Sequence, residues 1–202
     1  MTMMEERYQL AVERVGQLMC EQEVDEKFQP YFAENASVYN HGSQFFYIRA
    51  LAKVGDYEKL YNVLNFAMPF NEQNHNEQSV CAAPYAITNC YHLVPSFRGR
   101  AGFSFLTGSV AMLERSVYNW MFGVNFTLNS IKIKPCLPKE YENPQITLKY
   151  LDKNIEIQYI GYGNRVTHAT VNGNLVEIKN GEIELNKKDI NCDLAIVLIL
   201  NK

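Results

Sequence analysis

GRAGFSFLTGSVAML, residues 99–113, passes from a glycine-punctuated loop into an amphipathic helix at Thr107-Gly108-Ser109. The first turn of a helix presents unpaired N–H groups and the positive end of the backbone dipole, and both favour an anion. Gly108 leaves the backbone bare of a Cβ, and Thr107 and Ser109 add hydroxyl donors. The triplet therefore suits a phosphate. It equally suits an ordinary N-cap at Thr107. It is not a nucleotide loop of the Gly-Lys-Ser/Thr kind, because no lysine follows the glycine.

Outward from this stretch the chain has two halves of different period. Residues 1 to about 124 repeat at helical spacing. One helix is expected over Glu5 to Cys20 and a second from about Gly42 to Val54, with Phe45, Ile48, Leu51 and Ala52 on one face. Gly55 supplies its C-cap, and Asp56 opens a third helix carrying Leu60, Val63, Leu64 and Ala67 and ending before Pro69. Asn71 to Gln78 reads as a polar loop, and Pro84 to Tyr91 as a short helical piece. The last helix runs from about Ser109 to Phe122. Val110, Leu113, Val117, Trp120 and Met121 form its apolar stripe, and Glu114, Arg115 and Asn119 its wet face.

Residues from about 129 onward alternate as strands do: 130–135, 145–151, 154–160, 166–172, 175–179, 182–185 and 193–200. Asp152-Lys153-Asn154, Asn172-Gly173-Asn174 and Asn180-Gly181 stand between them as hairpin turns. The expected fold is α+β, with domains over 1–124 and 125–202, the second an antiparallel β-sandwich.

The 202 residues suffice for a real core. With 47% hydrophobic and 20% charged residues the chain reads as globular. A net charge of -3 and the lack of a basic stripe argue against nucleic acid and anionic membranes as partners. The longest apolar run, around Leu194 to Leu200, is too short to span a bilayer, and the polar start MTMMEERYQL lacks a signal core. Five scattered cysteines without CxxC spacing point to reduced thiols, a cytoplasmic location, no zinc site and no disulfide framework.

Several further segments, taken in order, carry a resemblance. Glu34-Asn35 with Val38-Tyr39-Asn40-His41 resembles E-N-G-x-[VI]-[FY]-x-H of glycoside hydrolase family 94, the cellobiose, chitobiose and cellobionic acid phosphorylases once grouped as glycosyltransferase family 36. Gly55-Asp56-Tyr57 resembles that family's G-[DN] helix link, and Pro84-Tyr85 its E-P-Y. Residues 99–109 resemble G-R-x-G-W-x-W-x-T-G-[ST]. Phe122-Gly123-Val124 and residues 131–138, IKIKPCLP, resemble L-G-[IV] and L-R-[IV]-D-P-C-[IL]-P. The match is close over residues 34 to 138. Ala83 departs from the family's Glu, Phe103 and Phe105 from tryptophans, and Ala36 and Ser37 from glycines.

The resemblance implies the C-terminal part of an (α/α)6 barrel followed by a C-terminal β-sandwich. It implies an inverting phosphorolysis, in which a β-linked disaccharide and inorganic phosphate yield an α-sugar 1-phosphate. Phosphate attacks the face where an inverting hydrolase places its water. Phosphate is the co-substrate, and no cofactor or metal is implied. The implied phosphate ligands are His41, Thr107 and Gly108, and the implied sugar ligands are Glu34 and Asn35. The family's general-acid Asp has no counterpart: the helical half holds only Asp25, in a different context, and Asp56, a helix cap. No catalytic residue is thus expected within this chain. Taken alone it is expected to be inactive, with self-association or an upstream partner chain covering its barrel helices. The alternative is a non-catalytic sugar- or phosphate-binding remnant, or a split-gene subunit docking to a partner.

Overall fold

The computed structural model describes Gln9 and residues 33–34, 38–68, 87, 89–92, 101–102, 107–141 and 143–201. The expected helix over Glu5 to Cys20 (apart from Gln9, which is helical), the loop Asn71 to Gln78, and Asn35 lie outside the described residues. The chain divides into two compact units: Met1–Val54 with Lys59–Ser116, and Gly55–Glu58 with Val117–Lys202.

The first unit alternates short strands with helices. Strand β1 (Ala33–Glu34) pairs with β2 (Val38–Asn40), which runs directly into helix α1 (His41–Val54). Helix α2 (Tyr57–Ala67) follows a turn at Gly55, whose φ of 81° is the left-handed conformation expected of a C-cap glycine. Strands β3 (Cys90–His92) and β4 (Ala101–Gly102) complete a four-stranded antiparallel sheet in the order β1-β2-β3-β4. The end of the segment read as a short helix over Pro84 to Tyr91 is therefore strand. A three-residue strand carries no period of its own, and the pairing of Tyr91 with Tyr39 and Ala101 decides the conformation.

Helix α1 buries Phe45, Ile48 and Leu51 as its spacing predicts, with Tyr47 and Ala50 beside them, and turns Phe46 and Arg49 outward. Helix α2 buries Leu60, Val63 and Leu64. Helix α3 (Thr107–Arg115) packs on α1 but does not bury the face its apolar residues suggest. Val110 is 53% exposed, while Ser109 and Ser116 are buried. Each hydroxyl is satisfied, Ser116 Oγ donating to the Met112 carbonyl at 2.8 Å and Ser109 Oγ to Asn89 Oδ1 at 3.1 Å. Beyond Arg115 the helix widens into a π-helical stretch, Ser116–Met121, which shifts the phase of every later side chain.

The second unit is built from β5 (Val124–Phe126), β6 (Ser130–Ile133), β7 (Gln145–Tyr150), β8 (Lys153–Ile160), β9 (Arg165–Val171), β10 (Asn174–Leu175), β11 (Ile178–Lys179), β12 (Glu182–Asn186) and β13 (Leu194–Asn201). They form a five-stranded sheet, β10-β9-β13-β8-β7, and a four-stranded sheet, β11-β12-β6-β5. Alternation is clean where it matters: Ile155, Ile157 and Tyr159 of β8 and Leu194, Ile196, Leu198 and Leu200 of β13 are buried, and their neighbours face outward. Ile131, Ile133 and Ile183 bury one face of the smaller sheet. The architecture is α+β. One pairing departs from the antiparallel expectation: β13 runs parallel to β8, in register from Leu194 with Ile155 to Ile199 with Ile160. Both Asn-Gly turns have two left-handed residues, Asn172 and Gly173 at 49° and 80°, Asn180 and Gly181 at 52° and 73°. These are the type I′ values that fit the twist of a two-residue hairpin.

Candidate functional site

Register across the small sheet of the first unit brings the distant motif segments to one end. Asn40 pairs with Cys90, and Cys90 with Gly102. The strands are antiparallel in succession, so β2 and β4 run the same way. His41, which follows Asn40, Asn89, which precedes Cys90, and the chain leaving Gly102 thus emerge at the same end. Two strand spacings of about 4.8 Å put β2 and β4 roughly 10 Å apart. The Ser109–Asn89 hydrogen bond then ties the first turn of α3 to that end. There His41 begins α1 and Thr107 begins α3, so two helix N-termini share one end of one sheet.

Gly108, in the first turn of α3, is exposed, and a Cβ added to it would meet no atom of the described residues within 4 Å. Ser109, one of the two hydroxyls expected to face an anion, is instead buried with its proton given to Asn89. Glu34 sits in β1 and pairs with Val38, which stands three residues before His41 at the start of α1. Asn89 escaped the sequence reading because its segment carries no reactive group. Its place follows from Cys90, which pairs on both sides, and no local pattern in the sequence marks that pairing.

The IKIKPCLP segment lies in the second unit and has a structural role. Gly123 adopts a φ of 76°, and a Cβ there would fall 1.9 Å from the Lys134 carbonyl oxygen and 2.1 Å from its carbon. The Lys134 N–H donates to the Gly123 carbonyl at 3.0 Å and the Cys136 N–H to that of Met121 at 2.8 Å. The Tyr159 hydroxyl donates to the Phe122 carbonyl at 2.9 Å. This satisfies carbonyls that the end of the helix leaves open. Burial, with the Asp56 carboxylate adding to it, pushes the Cys136 thiol up to about 12, so the sulfur is inert and packs as a small apolar group. The Gly55 carbonyl, part of the same unit, accepts from Asn164 Nδ2 at 3.0 Å. Among the described residues no three His, Cys, Asp or Glu side chains gather as metal ligands, and no helix is long and apolar enough to cross a membrane.

Solabiose phosphorylase of Paenibacillus borealis is 32% identical over 116 residues, 57% of this chain and 15% of its own length. The chain is similar to glycoside phosphorylases. A second protein of that organism, 3-O-beta-D-glucopyranosyl-beta-D-glucuronide phosphorylase, is 26% identical over 148 residues, 69% of this chain and 19% of its own length. The chain thus spans less than a fifth of either of these relatives. No family model matches it.

Proposed function

We propose that these residues form the phosphate side of an inverting disaccharide phosphorylase of glycoside hydrolase family 94. The helices belong to the C-terminal part of its (α/α)6 barrel, and the two sheets of the second unit to a β-sandwich beginning near residue 125. His41, Thr107 and the Gly108 backbone hold phosphate, Glu34 and Asn35 line the sugar pocket beside it, and the general acid comes from elsewhere in the enzyme. The observation that carries this reading is the shared sheet end from which α1 and α3 both start, with no atom of the described residues within 4 Å of a Cβ at Gly108, in a chain similar to phosphorylases.

The chemistry follows from that arrangement. Phosphate is already a nucleophile, so the protein has only to bind and aim it. Helix N-termini do this with fixed N–H groups that need no reorganisation as charge moves from phosphate to the anomeric carbon. The departing sugar oxygen needs a proton, and an acid worth about 10²–10⁴ in rate must supply it from the opposite face.

The test is a chimera in which the corresponding segment of solabiose phosphorylase is replaced by this chain. Thr107→Val or His41→Ala should each lower phosphorolysis at least ~tenfold, the worth of one charge-assisted contact of about 1.5–3 kcal/mol. Unchanged turnover and unchanged KM for phosphate in both variants would sink the assignment.

A further inference from the structure

The sequence contains two Asn-Gly pairs, Asn172-Gly173 and Asn180-Gly181, and the fold gives both the same type I′ turn. Their side chains are treated very differently. Asn172 Oδ1 accepts from the Ala195 N–H at 2.8 Å, and its Nδ2 donates to the Asp193 carbonyl at 3.2 Å and to Cys192 Sγ at 3.5 Å. Its backbone N–H is also bonded, to the Ala195 carbonyl at 2.8 Å. The carboxamide of Asn172 is thereby held against the start of β13, the central strand of the larger sheet. Asn180 is exposed, as Asn172 is, but its side chain has no hydrogen-bond partner among the described residues. It joins β12 to β11, a two-residue strand at the edge of its sheet. The Val166 N–H donates to the Gly181 carbonyl at 3.0 Å, but β11 adds only two residue pairs, and opening so short an edge hairpin breaks few bonds.

We infer that Asn180 is a site of spontaneous backbone modification, and that Asn172, its chemical twin, is protected by the fold. The Gly181 amide nitrogen attacks Asn180 Cγ and forms a new C–N bond, which is unhindered because glycine has no Cβ. The Asn180 side-chain nitrogen leaves as ammonia, taking up the amide proton. The resulting cyclic imide is opened by solvent water at either carbonyl, giving aspartate or isoaspartate. No oxidant or reductant takes part. Either product adds one negative charge. The isoaspartate also lengthens the main chain by one carbon at the first position of a two-residue loop, where β11 and β12 keep register only through the pairs Ile178 with Ile183 and Lys179 with Glu182.

The test compares the two sites within one molecule. The intact chain is incubated in mildly alkaline buffer, sampled over days, digested, and both Asn-Gly peptides are quantified by mass and by isoaspartate content. The same incubation is run in strong denaturant. Folded, Asn180 should convert at least ~tenfold faster than Asn172, since holding the Asn172 carboxamide costs at least one hydrogen bond to undo. Unfolded, the two rates should come within about threefold, because the bonds that separate them are gone. Equal rates in the folded chain would overturn the proposal. A folded ratio that persists unchanged in denaturant would overturn it too, by tracing the difference to the neighbouring residues.

Discussion

Replacing Gly123 by alanine adds one methyl group to a place where the backbone has left no room. Its Cβ would stand 1.9 Å from the Lys134 oxygen and 2.5 Å from the Pro135 nitrogen, all backbone atoms that no rotamer change can move aside. Relief requires residues 134–136 to retreat by more than an ångström. That retreat breaks the Lys134–Gly123 and Cys136–Met121 hydrogen bonds, each worth about 1 kcal/mol net. The left-handed φ of 76° costs an alanine a further ~1–2 kcal/mol. Lost packing of Phe122 on Tyr159, whose ring centres are 5.5 Å apart, adds about 1 kcal/mol. The sum is about 4–5 kcal/mol, a large share of the ~5–15 kcal/mol that holds a typical domain together. Urea denaturation followed by far-ultraviolet circular dichroism reads it directly. A Gly123→Ala protein losing less than ~1 kcal/mol would refute the close approach of the two segments.

Gly108→Ala should behave oppositely, because no atom of the described residues lies within 4 Å of the added methyl: stability should hold or rise by up to ~1 kcal/mol in the same denaturation experiment. In the solabiose phosphorylase chimera the same change should raise KM for phosphate, and an unaltered KM would contradict the cradle. Thiol alkylation of the native chain, mapped by peptide mass, should modify exposed Cys192 and spare buried Cys136 until the fold is lost. The raised Cys136 thiol sets a pH window as well. Its contribution to stability is complete below its ordinary value of 9.0 and drains away as pH climbs from there towards about 12, so a Cys136→Ala variant should lose less stability than the parent over that range.

The larger sheet could be read from sequence because its strands are long enough to show a period. Ile155-Glu156-Ile157-Gln158-Tyr159 alternates for five residues, and the structure buries Ile155, Ile157 and Tyr159. Helix α1 was legible for the same reason, through Phe45, Ile48 and Leu51. The sheet that gathers the candidate site was not: its strands are two or three residues long, and its centre is the pairing of β2 with β3, segments about fifty residues apart. Helix α3 misled because its inward face is Ser109 and Ser116, hydroxyls made apolar in effect by internal bonds, while Val110 faces solvent. The parallel pairing of β13 with β8 left no local trace, since a buried strand has the same composition in either direction.

That parallel pairing has a consequence in time. Strand β13 lies between β8 and β9, and among the strands of the larger sheet it is the last to be synthesised. Before it arrives, β7–β8 and β9–β10 are two separate hairpins, each with an unpaired inner edge and an apolar face uncovered. Two-stranded hairpins are marginal in water, and bare edges invite association between nascent chains. The chain must therefore hold roughly fifty residues, from Gln145 to Asp193, of half-finished sheet until Leu194–Asn201 zips both edges at once. A ribosome-stalled chain ending before Leu194 would be the form that a chaperone sees.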